Sequence, residues 1–422
     1  MTSIITEESV DSNVEKFSLF KNSRYKKWFI ADTATEITTG LNSLAFPLLA
    51  LHCTGSSASA GTLVAFSSVG SLLGLLPGGV IADKYNRRKM NIIFSIVAIA
   101  SYLLVIIYLQ NRWDLKFVLA TLFAIVSFST AILAPVFTAS LKQLVPRSKF
   151  AQAMGANEAR SALLALAVPP LSGFLIGLSG ILPILVSVVC LITSILSFPA
   201  VPSGAEMRSS RIVRPGEFFS GFSIILGNKI LKTLVLSGML INVAVSVVML
   251  VLIFSFNKAN VDPVNIGFAQ TGIAVGAMVG AVLSGYLSSR VKSGLLIIIS
   301  LLWVLICLLL LVFSADILTT AIFAALAVVP GPVLNATLIG YTLTVIPESQ
   351  QGRSDAALSL IASGAAPFAP LIAGVGTASL PGNLPILVSM TLILIAICLC
   401  VASPEIRSLQ RGTEWAVAEN KN

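Results

Sequence analysis

About a dozen continuous apolar runs, most of them twenty residues or longer, fill this chain of 422 residues between positions 26 and 403. They fall near 26–52, 58–82, 89–110, 116–141, 150–177, 180–201, 230–256, 263–288, 293–313, 316–343, 352–378 and 382–403. A helix needs about 20 mostly apolar residues to cross the hydrocarbon of a bilayer. Barrel strands would instead read as ten-residue pieces of alternating polarity, which these runs are not. With 56% hydrophobic and 11% charged residues, a soluble globule of this length could not keep its surface wet. The expected fold is therefore all-α and polytopic, with 12 transmembrane helices.

The runs repeat. Gly61, Gly70, Gly74 and Gly79 recur 206 residues later as Gly267, Gly276, Gly280 and Gly285. Pro146, Pro169 and Gly173 recur 201 residues later as Pro347, Pro370 and Gly374, and Asn22 and Lys26 are answered by Asn228 and Lys232. Two pseudo-symmetric six-helix bundles follow. The boundaries expected are a basic lead at 1–24, a first bundle at 25–201, a linker at 202–229, a second bundle at 230–403 and a tail at 404–422. Parallel halves of this kind build one large class of secondary transporter, whose cargo path lies between them. Gly70 to Gly74 and Gly276 to Gly280 are small-xxx-small faces that let helices pack closely.

The net charge of +9 is a matter of topology. Lys84, Arg87, Arg88 and Lys89 join spans two and three; Arg147 and Lys149 join four and five; Arg290 and Lys292 join eight and nine. The intervening loops 53–57, 178–180 and 379–383 carry no charge. Basic loops face the cytoplasm, which puts both termini there in a multi-pass protein of the inner (cytoplasmic) membrane. No nucleic-acid partner is needed to explain the basicity. Residues 1–24 lack a short apolar core, so no cleavable signal peptide is expected. The five cysteines have no metal-like spacing, so no metal or other cofactor is expected. Without a phosphate-binding loop ATP is not the driver, and without a nucleophile–histidine pair the chain is not read as an enzyme.

Ionisable residues inside spans are costly and point to a cargo path. Asp32 and Glu36 lie four residues apart in span one, hence on one helix face. Glu36, nine residues past Lys27, sits roughly 13 Å deep. Two carboxylates in one low-dielectric cavity cannot both ionise cheaply, which suits a proton-binding site. The matching position in the second half is Asn242, which cannot titrate. Glu158 and Arg160 open span five. At i,i+2 they do not face each other: Glu158 is the expected partner of the basic loop, and Arg160 is expected to meet Asp32 or an anionic cargo. Gln270, Asn335 and Tyr341 are further polar groups that could line a cavity.

The loop Pro77–Lys89, PGGVIADKYNRRK, resembles the signature between helices two and three of the major facilitator superfamily, with Gly79, Asp83, Arg87 and Arg88 matching and Asn86 where a turn glycine is usual. Asparagine enters the left-handed region more readily than most residues, which would preserve such a turn. The resemblance implies that this loop gates the cytoplasmic side and stabilises the outward-open state. Pro169, Pro170 and Gly173 resemble the antiporter motif of span five, with Val168 where a glycine is expected, and read as helix-bending residues. The segment 144–173 resembles the drug and metabolite exporters that include macrolide efflux proteins and the enterobactin exporter.

These readings imply a secondary active transporter, with protons as coupling ion, that exports amphipathic drugs or secreted metabolites by alternating access. A siderophore exporter or another small-molecule permease of the same fold stays open, as does a non-concentrative lipid-handling or receptor-like relative. The partners expected are a small-molecule cargo, protons and the bilayer, with no obligate protein partner evident.

Overall fold

A computed structural model describes residues 18–111, 115–201, 215–314, 316–381 and 383–411. Among these no strand occurs, as hydrocarbon requires of a chain that must satisfy its own backbone hydrogen bonds. The first bundle comprises α1 (Ser23–Thr54), α2 (Ser57–Lys84), α3 (Arg87–Asn111), α4 (Lys116–Leu144), α5 (Phe150–Leu178) and α6 (Leu182–Ser197). A linker helix, α7 (Pro215–Gly227), precedes α8 (Lys229–Lys258), α9 (Pro263–Arg290) and α10 (Ser293–Val312). The tenth and eleventh spans are each broken, into α11 (Ile317–Val328) and α12 (Gly331–Val345), and into α13 (Glu348–Gly364) and α14 (Phe368–Ser379). The last span is α15 (Ile386–Ala402), followed by a short α16 (Pro404–Arg407). The sequence reads spans ten and eleven as continuous. The breaks fall at Pro330 and Pro367, where a ring replaces the backbone N–H, although α1, α2, α4 and α5 run through their own prolines.

Repeated residues do the same work in both halves. Asn22 caps α1 by accepting from the N–H groups of Arg24 (2.8 Å) and Tyr25 (3.2 Å); Asn228 caps α8 by accepting from Ile230 (3.0 Å) and Leu231 (3.1 Å). A Cβ on Gly70 would lie 2.2 Å from the Ala124 carbonyl oxygen of α4, and one on Gly276 would lie 2.1 Å from that of Ala325 in α11. Both pairs of small residues thus let backbones meet within a bundle. The tail is not free of the second bundle. Its Leu409 and Gln410 carbonyls accept from Gly294 and Ser293 at the start of α10, and Glu405 pairs with Lys229 at 3.4 Å.

The halves touch at the end away from the basic loops. There α2 packs on α14, with a Cβ on Gly61 only 2.3 Å from the Pro370 carbonyl oxygen and one on Gly374 2.5 Å from that of Ser57. By the same symmetry α5 packs on α9: a Cβ on Gly267 would lie 2.4 Å from the Pro169 carbonyl oxygen, and one on Gly173 2.2 Å from that of Pro263. One apolar core runs through this end, joining Leu44–Ala50 of α1 to Val243–Phe254 of α8. At the basic end the first bundle has a core of its own around Tyr25, Trp28, Ile132 and Phe137.

Candidate functional site

Helix α1 is fixed by its buried face. Thr35 donates to Ser194 (3.1 Å), whose hydroxyl donates to Asn91 (3.3 Å), tying α1 to α6 and α3; the indole of Trp28 donates to the Phe137 carbonyl of α4 at 3.1 Å. The positions 206 residues after Thr35 and Asn91 are Ile241 and Ile297, so the second bundle lacks this polar staple. The other face of α1 carries the charges.

Arg160 of α5 reaches both acids with one nitrogen. Its Nη2 donates to Asp32 at 2.5 Å and to Glu36 at 2.8 Å. Its Nη1 donates to the Thr33 hydroxyl (3.2 Å) and the Phe29 carbonyl (3.3 Å), and its guanidinium stacks 5.0 Å from the centre of the Phe29 ring. Arg160 is 7% exposed, Asp32 16% and Glu36 30%, so access to solvent falls on Glu36. With all three ionised, the cluster carries one net negative charge. A guanidinium is suited to such sharing, because its planar fork presents several donors at once.

Glu36 opens onto a cavity of about 340 Å³, lined on α1 by Thr39, Gly40 and Ser43 and on α5 by Ser161, Leu164, Ala165, Val168 and Pro169. A Cβ on Gly40 would come within 2.8 Å of Val168 Cγ1, so the notch on α1 receives the valine that replaces the motif glycine on α5. An apolar pocket in the second bundle, lined by residues such as Val248, Ile273 and Leu308, offers no polar group and shares no residue with this cavity.

The proline pair of α5 is not a break, since the helix continues from Phe150 to Leu178. Pro170 has no N–H to give the Leu166 carbonyl, and Thr271 of α9 supplies the missing donor at 2.9 Å. Pro169, Pro170 and Gly173 serve the contact between the halves, a role additional to the bending that the sequence reading gives them.

The basic loop differs from expectation in detail. Arg87 is buried and donates to the Ala82 carbonyl (3.0 Å) and, across to α4, to that of Ala139 (3.0 Å), a clasp within the first bundle. Asn86 does not adopt a left-handed turn; its side chain accepts from the Lys89 N–H at 3.1 Å and caps α3. Arg88 is exposed, a Cβ on Gly79 would meet nothing within 4 Å among the described residues, and the Asp83 side chain lies outside them. Glu158 is exposed and forms no ion pair among the described residues, so the pairing expected with the loop is absent in this arrangement. Asn242, Gln270, Asn335 and Tyr341 are not brought to the cavity wall. Thr33, Thr39 and Ser43 escaped the sequence reading. For Thr39 and Ser43 the signal is helical spacing, since 32, 36, 39 and 43 continue one stripe.

Two helical bundles with a charged cavity in the membrane-spanning region define a multi-pass membrane transporter. The sequence profile described as Major Facilitator Superfamily matches residues 29–292. The chain belongs to that superfamily. It is 25% identical over 420 residues to the enterobactin exporter EntS of Escherichia coli O1:K1 / APEC, covering 94% of this chain and 95% of that one. It is 24% identical over 411 residues to EntS of Salmonella choleraesuis (strain SC-B67), covering 92% and 94%. Among solved structures it is similar in fold to a bacterial homologue of the iron transporter ferroportin in its inward-facing state (TM-score 0.69, 15% identity, 93% of this chain and 100% of that one). It is likewise similar to the nucleoside transporter NupG (TM-score 0.69, 12% identity, 92% and 99%).

Proposed function

We propose that the protein is a proton-coupled exporter of cationic or neutral amphipathic small molecules, acting by alternating access in the cytoplasmic membrane with both termini in the cytoplasm. The observation that carries this reading is one guanidinium shared by two carboxylates at a cavity wall. A proton on Glu36 cancels the net charge of the cluster and loosens its hold on Arg160. A cargo cation competes for the same carboxylate. Proton and cation then exclude each other, which is what antiport requires. The close contact of the halves at the end away from the basic loops supports, under this topology, an arrangement that opens toward the cytoplasm. In the opposite state the loop of Gly79, Asp83, Arg87 and Arg88 closes the cytoplasmic side.

Replacing Glu36 with glutamine should leave the protein inserted and folded but reduce proton-driven efflux to background in proteoliposomes. Undiminished efflux by this variant would exclude Glu36 as the coupling group. Export of an acidic siderophore is the second reading, favoured by similarity over nearly the whole chain to enterobactin exporters. Comparing metabolites released by a deletion strain and its parent separates the two.

A further inference from the structure

The cavity face of α1 offers acceptors. Thr39 spends its hydroxyl hydrogen on the Glu36 backbone carbonyl (2.9 Å), and Ser43 spends its own on that of Gly40 (2.7 Å). A carbonyl has no hydrogen to give, so the direction of both bonds is fixed, and while they hold each hydroxyl oxygen turns lone pairs to the cavity. Glu36, when ionised, is likewise an acceptor. These groups climb one face of α1 at i, i+3 and i+7, a rise of about 10 Å. Among the described residues the cation beside them, Arg160, is turned away from the cavity: Nη1 and Nη2 are committed to Asp32, Glu36, Thr33 and the Phe29 carbonyl, and Nε, which has no partner, is buried. Ser161, on the opposite wall, is the one lining hydroxyl whose hydrogen forms no bond among the described residues.

We infer that Glu36, Thr39 and Ser43 form a subsite for a protonated amine that carries N–H donors, and that N–H donation, beyond positive charge, selects the cargo. This rests on the reading that Glu36 faces cargo. A quaternary ammonium satisfies Glu36 electrostatically but has no hydrogen for the two hydroxyl oxygens. An anion meets acceptors alone along α1. Hydrogen bonds to charged groups contribute about 1.5–3 kcal/mol each, so even one such contact gives roughly tenfold discrimination.

The test uses purified full-length protein in nanodiscs and three probes of similar size: a naphthylalkyl primary amine, its N-trimethylated analogue and the corresponding carboxylate. The primary amine should bind about tenfold more tightly than the trimethylated cation, and the carboxylate least. In Thr39→Val/Ser43→Ala the preference should fall to what N–H donation to Glu36 alone supplies while affinity for the trimethylated cation is kept, which also shows that the variant is folded. Thr39→Ser/Ser43→Thr should retain the preference, and Glu36→Gln should weaken both cations. Equal binding of the two cations by wild type, or a preference undiminished by the double substitution, overturns the subsite and leaves the cation reading standing. Tightest binding of the carboxylate, or cation binding indifferent to Glu36→Gln, overturns both.

Discussion

Arg160→Ala should abolish transport and lower the stability of the first bundle by about 3 kcal/mol, measured as a fall in melting temperature in detergent. The substitution leaves Asp32 and Glu36 without a counter-charge in a membrane-spanning bundle, and removes the donors held by Thr33 and the Phe29 carbonyl. Removing one partner of a buried pair costs more than the pair is worth, because the other charge stays behind. Neutralising the acids in the same background, with Asp32→Asn and Glu36→Gln, should restore stability but not flux. Such non-additivity is expected of residues in direct contact. Arg160→Lys should be intermediate, since a single ammonium cannot bridge two carboxylates and two further acceptors in one plane. A melting temperature unchanged in Arg160→Ala would show that the cluster contributes nothing to the fold.

Gly61→Val should stop transport by a different route. Its Cβ alone would stand 2.3 Å from the Pro370 carbonyl oxygen and 2.9 Å from Gly374 Cα, both of them backbone atoms that cannot rotate away. Overpacking of this kind costs typically about 1–3 kcal/mol, enough to shift a two-state balance by roughly 5-fold to 150-fold. The protein should therefore insert normally yet lose the arrangement in which α2 meets α14. Spin labels on the uncharged ends of those helices would report a longer distance. Gly267→Val should act alike at the α5–α9 contact, where the Pro169 carbonyl oxygen stands 2.4 Å from the Cβ position. An unaltered distance together with normal flux would mean that the contact is not part of the working cycle.

The twelve-span architecture was legible because a lipid environment demands length and apolarity of each helix, and because the repeats Gly61/Gly267 and Pro169/Pro370 are visible as spacing. Asp32, Glu36 and Arg160 were legible as charges where charges are rare. Which of them meet was not, because Arg160 lies 124 residues from Glu36 and only the packing of α5 on α1 joins them. The role of Asn86 was misread because asparagine suits both a left-handed turn and a helix cap, and the local sequence does not choose between them. The proline carbonyls were read as slack in α5. That Thr271, from the other half, takes up Leu166 depends on a contact no spacing rule encodes.

Three of the four seam glycines have counterparts at the far ends of their helices. Gly61 and Gly79, Gly267 and Gly285, and Gly155 and Gly173 are each 18 residues apart, which at 3.6 residues per turn is five whole turns. Each pair therefore lies on one helix face, about 27 Å apart along the axis. At the sealed end Gly61, Gly173 and Gly267 are filled by the opposing backbone, while Gly79, Gly155 and Gly285 have nothing within 4 Å among the described residues. The helices are thus keyed at both ends like a rocker with two seats. Tilting one half onto the vacant seats would exchange one close backbone contact for another of the same kind. Little net energy would separate the two positions, so that a modest difference in binding energy would tip the balance. Gly285→Leu should then leave the sealed end as it is and prevent only the reverse closure, seen as spin-label distances fixed in one population whatever is bound.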